Sequence, residues 1–246
     1  MLVKRTNTPK ADRSPRSAPG SSVRLEKIVG NEEDLLGVLF GPHPANVVIR
    51  GGDVSFYWNV DGEVSCEEGQ FLVTGATGRL RIDLSLLEAV YQVDQACGVT
   101  HFEFSLQDTG LSFALFPRDA CMGSGAGCSM TRGFAREACP LRAQVLDVSD
   151  SWLGEGLHEN SEAWQSQVSI QEVGRFHQFS TTLISKGLAF ESSFPVAHAD
   201  LDGEVFRCSS ADAQTVIYIH SSKFSHNSRG REIIESLIPC EESSFL

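Results

Sequence analysis

The chain has no run of about 18 apolar residues, so no membrane-spanning helix is expected. Its seven cysteines, Cys66, Cys97, Cys121, Cys128, Cys139, Cys208 and Cys240, include no C-x-x-C pair. Zinc ribbons and redox dithiols use that close spacing, so free thiols in a reduced compartment are the expectation. A metal or disulfide role for Cys121 and Cys128, which flank Met-Gly-Ser-Gly-Ala-Gly, is the alternative. The basic start runs into a Thr/Pro/Ser stretch and not an apolar segment, which argues against a secretory signal and for a cytoplasmic protein. Cations are scarce, with 20 Lys and Arg against 32 Asp and Glu and a net charge of −12. Six of those cations, Lys4, Arg5, Lys10, Arg13, Arg16 and Arg24, face only Asp12 in the first 24 residues, a local +5 that leaves −17 for the remainder. So acidic a body repels a phosphate backbone, and neither nucleic acid nor a membrane is an expected partner. There is no Ser elbow, no H-E-x-x-H and no Gly-Lys-Ser/Thr phosphate-loop ending. No catalytic residue is assigned, and a binding role is expected over an enzymatic one.

What is present supports a sizeable core, since 41% of the residues are hydrophobic. Residues 31–40, NEEDLLGVLF, open with a capping Asn and acids and then turn apolar, which predicts a helix. ANVVIRGG and DVSFYWNVDGEVSCEEG read as strands, with Asp61-Gly62 as a hairpin signal. IDLSLLEAVYQVDQA reads as a helix capped by Asp83, with Leu84, Leu87, Val90 and Tyr91 on one face. THFEFSLQDTGLSFALF and EVFRCSSADAQTVIYIHS each read as two strands around a polar turn. A short helix is expected near 180–190 and an amphipathic helix in SRGREIIESLI. At a constant offset of 104 the two hairpins match: Phe102 with Phe206, Phe104 with Cys208, Phe113 with Ile217 and Leu115 with Ile219. That match suggests a duplicated unit of about 100 residues.

The stretch FLVTGATGRLRIDLSLLEAV has the outline of a dinucleotide fingerprint. Gly75 and Gly78 are correctly spaced, but Arg81 takes the third glycine's place and no strand with a ribose-binding acid follows. Both glycines are instead expected to supply positive φ in a strand-to-helix turn.

The order of elements over 45–118 resembles one repeat of the HemS/ChuX-like haem-utilisation family. The matching pieces are the hairpin VVIRGGDVSFYWNVDGEVSCEEG, the strand and turn FLVTGATGRLR, the segment IDLSLLEAVYQV and the closing strands THFEFSLQDTGLSFALF. TVIYIHSSKFSHNSRGREIIESL is similar to that family's last strand, loop and C-terminal helix. The resemblance is one of pattern over about two-thirds of the chain. It implies an α+β fold of two similar halves, each an antiparallel β-sheet with helices packed on one face. The division would be a basic tail over 1–22, a first repeat over 23–118, a Gly/Cys-rich linker and connecting segment over 119–165, and a second repeat over 166–246. It also implies haem, or a similar flat hydrophobic ligand, held against a sheet, with a homodimer as one assembly.

Haem needs an axial donor, an apolar slot and cations for its propionates. The second half carries these types close together: Tyr218, His220, Lys223, His226 and Arg229. Tyr218 and His220 are two apart on a strand and so share a face. His177 lies on another predicted strand beside Phe176 and Phe179. His220 and His226 are the candidate iron ligands, with Tyr218, His177, Lys223 and Arg229 around the cofactor; His101 and His43 rank below them. Phe56, Trp58, Phe102, Phe104 and Phe113 are expected in the core. An intracellular haem-binding or haem-utilisation protein is the first functional reading. A ligand- or protein-binding module of the same fold without haem is the alternative.

Overall fold

The computed structural model describes residues 24–41, 44–51, 54–60, 62–94, 99–109, 111–117, 129–139, 164–173, 176–202 and 205–220. The first strands are β1 (Arg24–Val29), β2 (Ala45–Gly51), β3 (Val54–Val60), β4 (Glu63–Glu67), β5 (Gln70–Thr74) and β6 (Gly78–Asp83). They continue with β7 (Leu87–Asp94), β8 (Thr100–Leu106), β9 (Ser112–Pro117), β10 (Ala135–Ala138) and β11 (Trp164–Val173). The last are β12 (Phe176–Ser185), β13 (Leu188–Pro195), β14 (His198–Asp202), β15 (Val205–Ser209) and β16 (Thr215–His220). The helix α1 (Glu32–Phe40) follows β1.

All these strands pair antiparallel, in two sheets. One has the order β10-β1-β7-β8-β9-β2-β3-β16-β15-β14 and the other β11-β12-β13-β6-β5-β4. The sheets pack face to face over a common apolar core. The pattern of β3 shows why: Val54, Phe56, Trp58 and Val60 are buried, while Ser55, Tyr57 and Asn59 alternate on the opposite face. Across the gap, Phe190 of β13 meets both Phe56 and Trp58 at ring separations of 5.5 Å. Helix α1 closes one end of the sandwich. Asn31 caps it by accepting a bond from the Asp34 N–H at 2.9 Å, and Glu32, Glu33 and Asp34 suit the positive end of its dipole. Its Phe40 touches Phe71 of the smaller sheet and Phe104 and Phe113 of the larger one, so one side chain ties both sheets.

This architecture corrects the α+β expectation. The described chain is a mostly antiparallel β-sandwich with one α-helix, not sheets backed by helices. Each sheet also draws strands from both parts of the chain: β13 adds to β6, and β16 adds to β3. The helix expected at IDLSLLEAVYQVDQA is a 3₁₀ turn over Leu84–Leu86 followed by β7. The segment near 180–190 is not helical but the hairpin of β12 and β13, turning at Lys186-Gly187 with Gly187 at φ 82°. Gly62 does not close a hairpin either, because β3 and β4 belong to different sheets. It stands where the chain crosses between them, and a Cβ there would lie 2.0 Å from the Thr74 carbonyl oxygen. The helix 31–40 and the hairpins β8–β9 and β15–β16 form as the sequence predicts. The C-terminal amphipathic segment, the 1–22 tail and most of 119–165 lie outside the described residues.

Candidate functional site

The Thr74–Gly78 stretch is a hairpin turn between β5 and β6, closed by a bond from the Gly75 N–H to the Gly78 carbonyl at 2.9 Å. Neither glycine needs positive φ. Both are small because the Trp58 indole lies against them. A Cβ at Gly75 would sit 2.9 Å from Trp58 Cζ2, and one at Gly78 3.1 Å from Trp58 Cε2. Thr77 Oγ1 meets Thr215 Oγ1 at 2.7 Å, and the Thr77 carbonyl accepts from Ser192 Oγ at 2.7 Å. The polar atoms of the turn are thus used inside the protein and form no phosphate cradle. Phe56, Trp58, Phe102, Phe104 and Phe113 all lie in the core.

A different constellation occupies the far face of the ten-stranded sheet, turned away from the core. Strand alternation puts Val48, Tyr57, Ala114 and Val216 there, outside the central cluster. Cross-strand register aligns them in one row: Ala114 beside Val48, Val48 beside Tyr57, and Tyr57 beside Val216. The neighbouring row runs Ser112, Arg50, Ser55, Tyr218, Arg207 and Asp200, again one residue per strand. Strands about 4.8 Å apart place Tyr218 directly beside Arg207, with Arg50 two strands from Tyr218. This face therefore combines a buried apolar row with two guanidiniums and a phenol in the row beside it. Arg50 is 9% exposed, and burial pulls its pKa below the usual arginine value while leaving it a cation. Arg207 is exposed.

The sequence-predicted residues divide. Tyr218 is half-buried on this face, alternating with core residues Ile217 and Ile219. His220 ends the same strand, in register with Val205. His177 belongs to β12 of the other sheet, on the face that carries Phe179, Thr181 and Leu183 toward the core, so the fold does not bring it to Tyr218. Lys223, His226 and Arg229 lie outside the described residues, as does His43. Among the described residues no cluster of three His, Cys, Asp or Glu could hold a metal ion.

The far face also holds His101, which sequence reasoning ranked low. It is fully buried, stacks on Phe116 at 4.7 Å, and pairs through Nε2 with Glu103 Oε1 at 3.0 Å. With a carboxylate at Nε2 that nitrogen is the donor, and Nδ1 is buried with no partner among the described residues. Nothing in the sequence marks the pairing except the His-x-Glu spacing on a strand. Arg50 and Arg207 were missed because each is a single cation in an apolar strand. Their alignment with Tyr218 arises only from the pairing of β2, β3, β16 and β15. A separate hollow of about 190 Å³ lies by Lys27, Gly30, Glu32, Leu35, Leu87 and Glu137, smaller than the usual ligand pocket. Among the described residues no helix is long and apolar enough to cross a membrane.

No family model and no curated protein matches the chain. Among solved structures it is similar to holo-PhuS, a haem-binding protein from Pseudomonas aeruginosa. The TM-score is 0.49 and the identity 12%, over 81% of this chain and 71% of that one. It is also similar to ChuS, an Escherichia coli haem oxygenase, with a TM-score of 0.34 and 9% identity over 88% and 89% of the two chains. Both proteins are of the family named from the sequence.

Proposed function

We propose that the chain binds haem, or a flat amphipathic anion of the same kind, on the far face of the ten-stranded sheet. The observation that carries this reading is the register that lines up Arg50, Tyr218 and Arg207 beside the apolar row Ala114, Val48, Tyr57 and Val216. A tetrapyrrole has an apolar plane and two carboxylates on one edge. An apolar row with cations along one side supports both parts. In this reading His220, or His226 in the chain beyond it, donates to the iron. Tyr218 orients the ligand, and Arg50 and Arg207 hold the propionates together with Lys223 and Arg229. His177 stays with the other sheet. Bound haem would supply an iron centre whose properties the axial donor sets. In this reading the protein is cytoplasmic, its role is binding more than catalysis, and it meets neither nucleic acid nor a membrane.

Burial favours a second reading, a binding module of this fold without haem. Val48 is 1% and Ala114 0% exposed, so the floor is already shielded from solvent. Haemin titration followed in the Soret band separates the two. The haem reading expects a saturable, shifted Soret band with one haemin per chain, weakened in Tyr218→Phe and altered in position in His220→Ala. An unshifted band, or one that neither substitution changes, leaves the module without haem.

A further inference from the structure

We infer that β11 is a dimerisation edge, pairing antiparallel with β11 of a second copy of this chain to join two six-stranded sheets into one of twelve strands. The four described sheet edges differ sharply. β10 has four residues, with Arg136 and Glu137 among them. β14 has five, including His198, Asp200 and Asp202. β4 has five, with Glu63 and Glu67 exposed. Short, charged edges resist the addition of a further strand. β11 is ten residues long, Trp-Gln-Ser-Gln-Val-Ser-Ile-Gln-Glu-Val, with one charge, Glu172, and no proline, glycine or lysine. Its pairing with β12 runs unbroken through ten residue pairs, from Trp164 with Ser185 to Val173 with Phe176, without a bulge to bend the edge away. Alternate residues, about five of the ten, direct their backbone N–H and C=O away from β12, and no described strand meets them.

Charge selects a second copy as the occupant. The chain is strongly acidic, with a net charge of −12, so most of its surface repels another copy. Among the described sheet edges the ribbon of β11 and β12 is the exception, because β12 contains no Asp, Glu, Lys or Arg and β11 only Glu172. A two-fold axis at Ser169 sets Glu172 opposite Ser166 of the partner copy, about 20 Å along the strand from the partner's own Glu172. The same register sets Val173, 45% exposed, opposite Gln165 of the partner copy, in the row that continues to the partner's Ile184, 50% exposed.

Sedimentation equilibrium of the full chain without haemin, over a range of concentrations and at low and high salt, tests this. The expected result is twice the chain mass at high concentration, with added salt strengthening association by screening the acidic bodies. A Gln167→Lys/Ser169→Lys variant should stay monomeric with an unchanged far-UV spectrum. A wild-type chain that is monomeric at every concentration and salt overturns the inference, and so does a lysine variant that still dimerises. Should the variant lose its strand signal, hydrogen exchange of the wild type decides. Outward-directed β11 amides that gain protection with concentration support the interface, and protection independent of concentration overturns it.

Discussion

Gly75 and Gly78 make space for an indole. Trp58 is fully buried and the turn between β5 and β6 lies on its ring, so the glycines answer to a close approach and not to a ligand or a backbone twist. Sequence spacing alone could not separate these causes, because the partner ring is contributed by a strand of the other sheet. The geometry predicts a coupled cost. Gly75→Ala should destabilise the fold by about 1–3 kcal/mol, as overpacking of a rigid core does. In a Trp58→Leu background the same change should cost much less, since the clashing ring is gone. Urea unfolding of the two single variants and the double variant checks this, and strictly additive costs would show that the ring is not the obstacle. Cys208 shows the opposite side of burial: its thiol is pushed up to about 12 by desolvation, which makes it a small core residue and not a reactive one. That inertness fits the sequence expectation of free thiols.

At the scale of elements, hairpins with clean alternation were legible and strands buried on both faces were not. In β7, Ala89, Val90, Gln92 and Val93 are all buried, and a register shift between Leu87 and Ala89 breaks the period further. What remained imitates a helical stripe, and only pairing with β1 on one side and β8 on the other decides the matter. The β15–β16 turn, read correctly as polar, has a titratable lock. Asp212 accepts from the Gln214 backbone N–H at 3.1 Å and from Ser210 Oγ at 2.8 Å, and these bonds hold its carboxyl below the ordinary carboxylate value. A carboxyl whose pKa is lower folded than unfolded stabilises the fold above the unfolded value of about 3.9, and that contribution disappears as pH falls through the folded value. Melting curves should therefore fall less steeply between about pH 5 and pH 3 in Asp212→Asn than in the wild type. Parallel curves would mean that the turn does not depend on the charged form.

For the whole molecule, the pattern of apolar strands and polar turns was enough to expect antiparallel sheets, but not how they are shared. The assignment of β3 and β4 to different sheets, and of β13 and β16 to sheets begun near the N-terminus, depends on pairing across more than a hundred residues of chain. The candidate site was half legible for the same reason. Tyr218 and His220 are two apart on one strand and could be named, whereas Arg50 and Arg207 join them only through the completed sheet. The central claim is that this far face, and not the acidic exterior at large, receives the anionic edge of a flat ligand. It is tested most directly by comparing the haemin affinity of Arg50→Leu with that of Arg79→Leu, since Arg79 is an exposed cation on the smaller sheet. The account predicts a loss of about tenfold or more for Arg50→Leu, equivalent to about 1.4 kcal/mol, and almost none for Arg79→Leu. Equal losses from the two variants, or an Arg50→Leu protein that binds haemin as the wild type does, would contradict it.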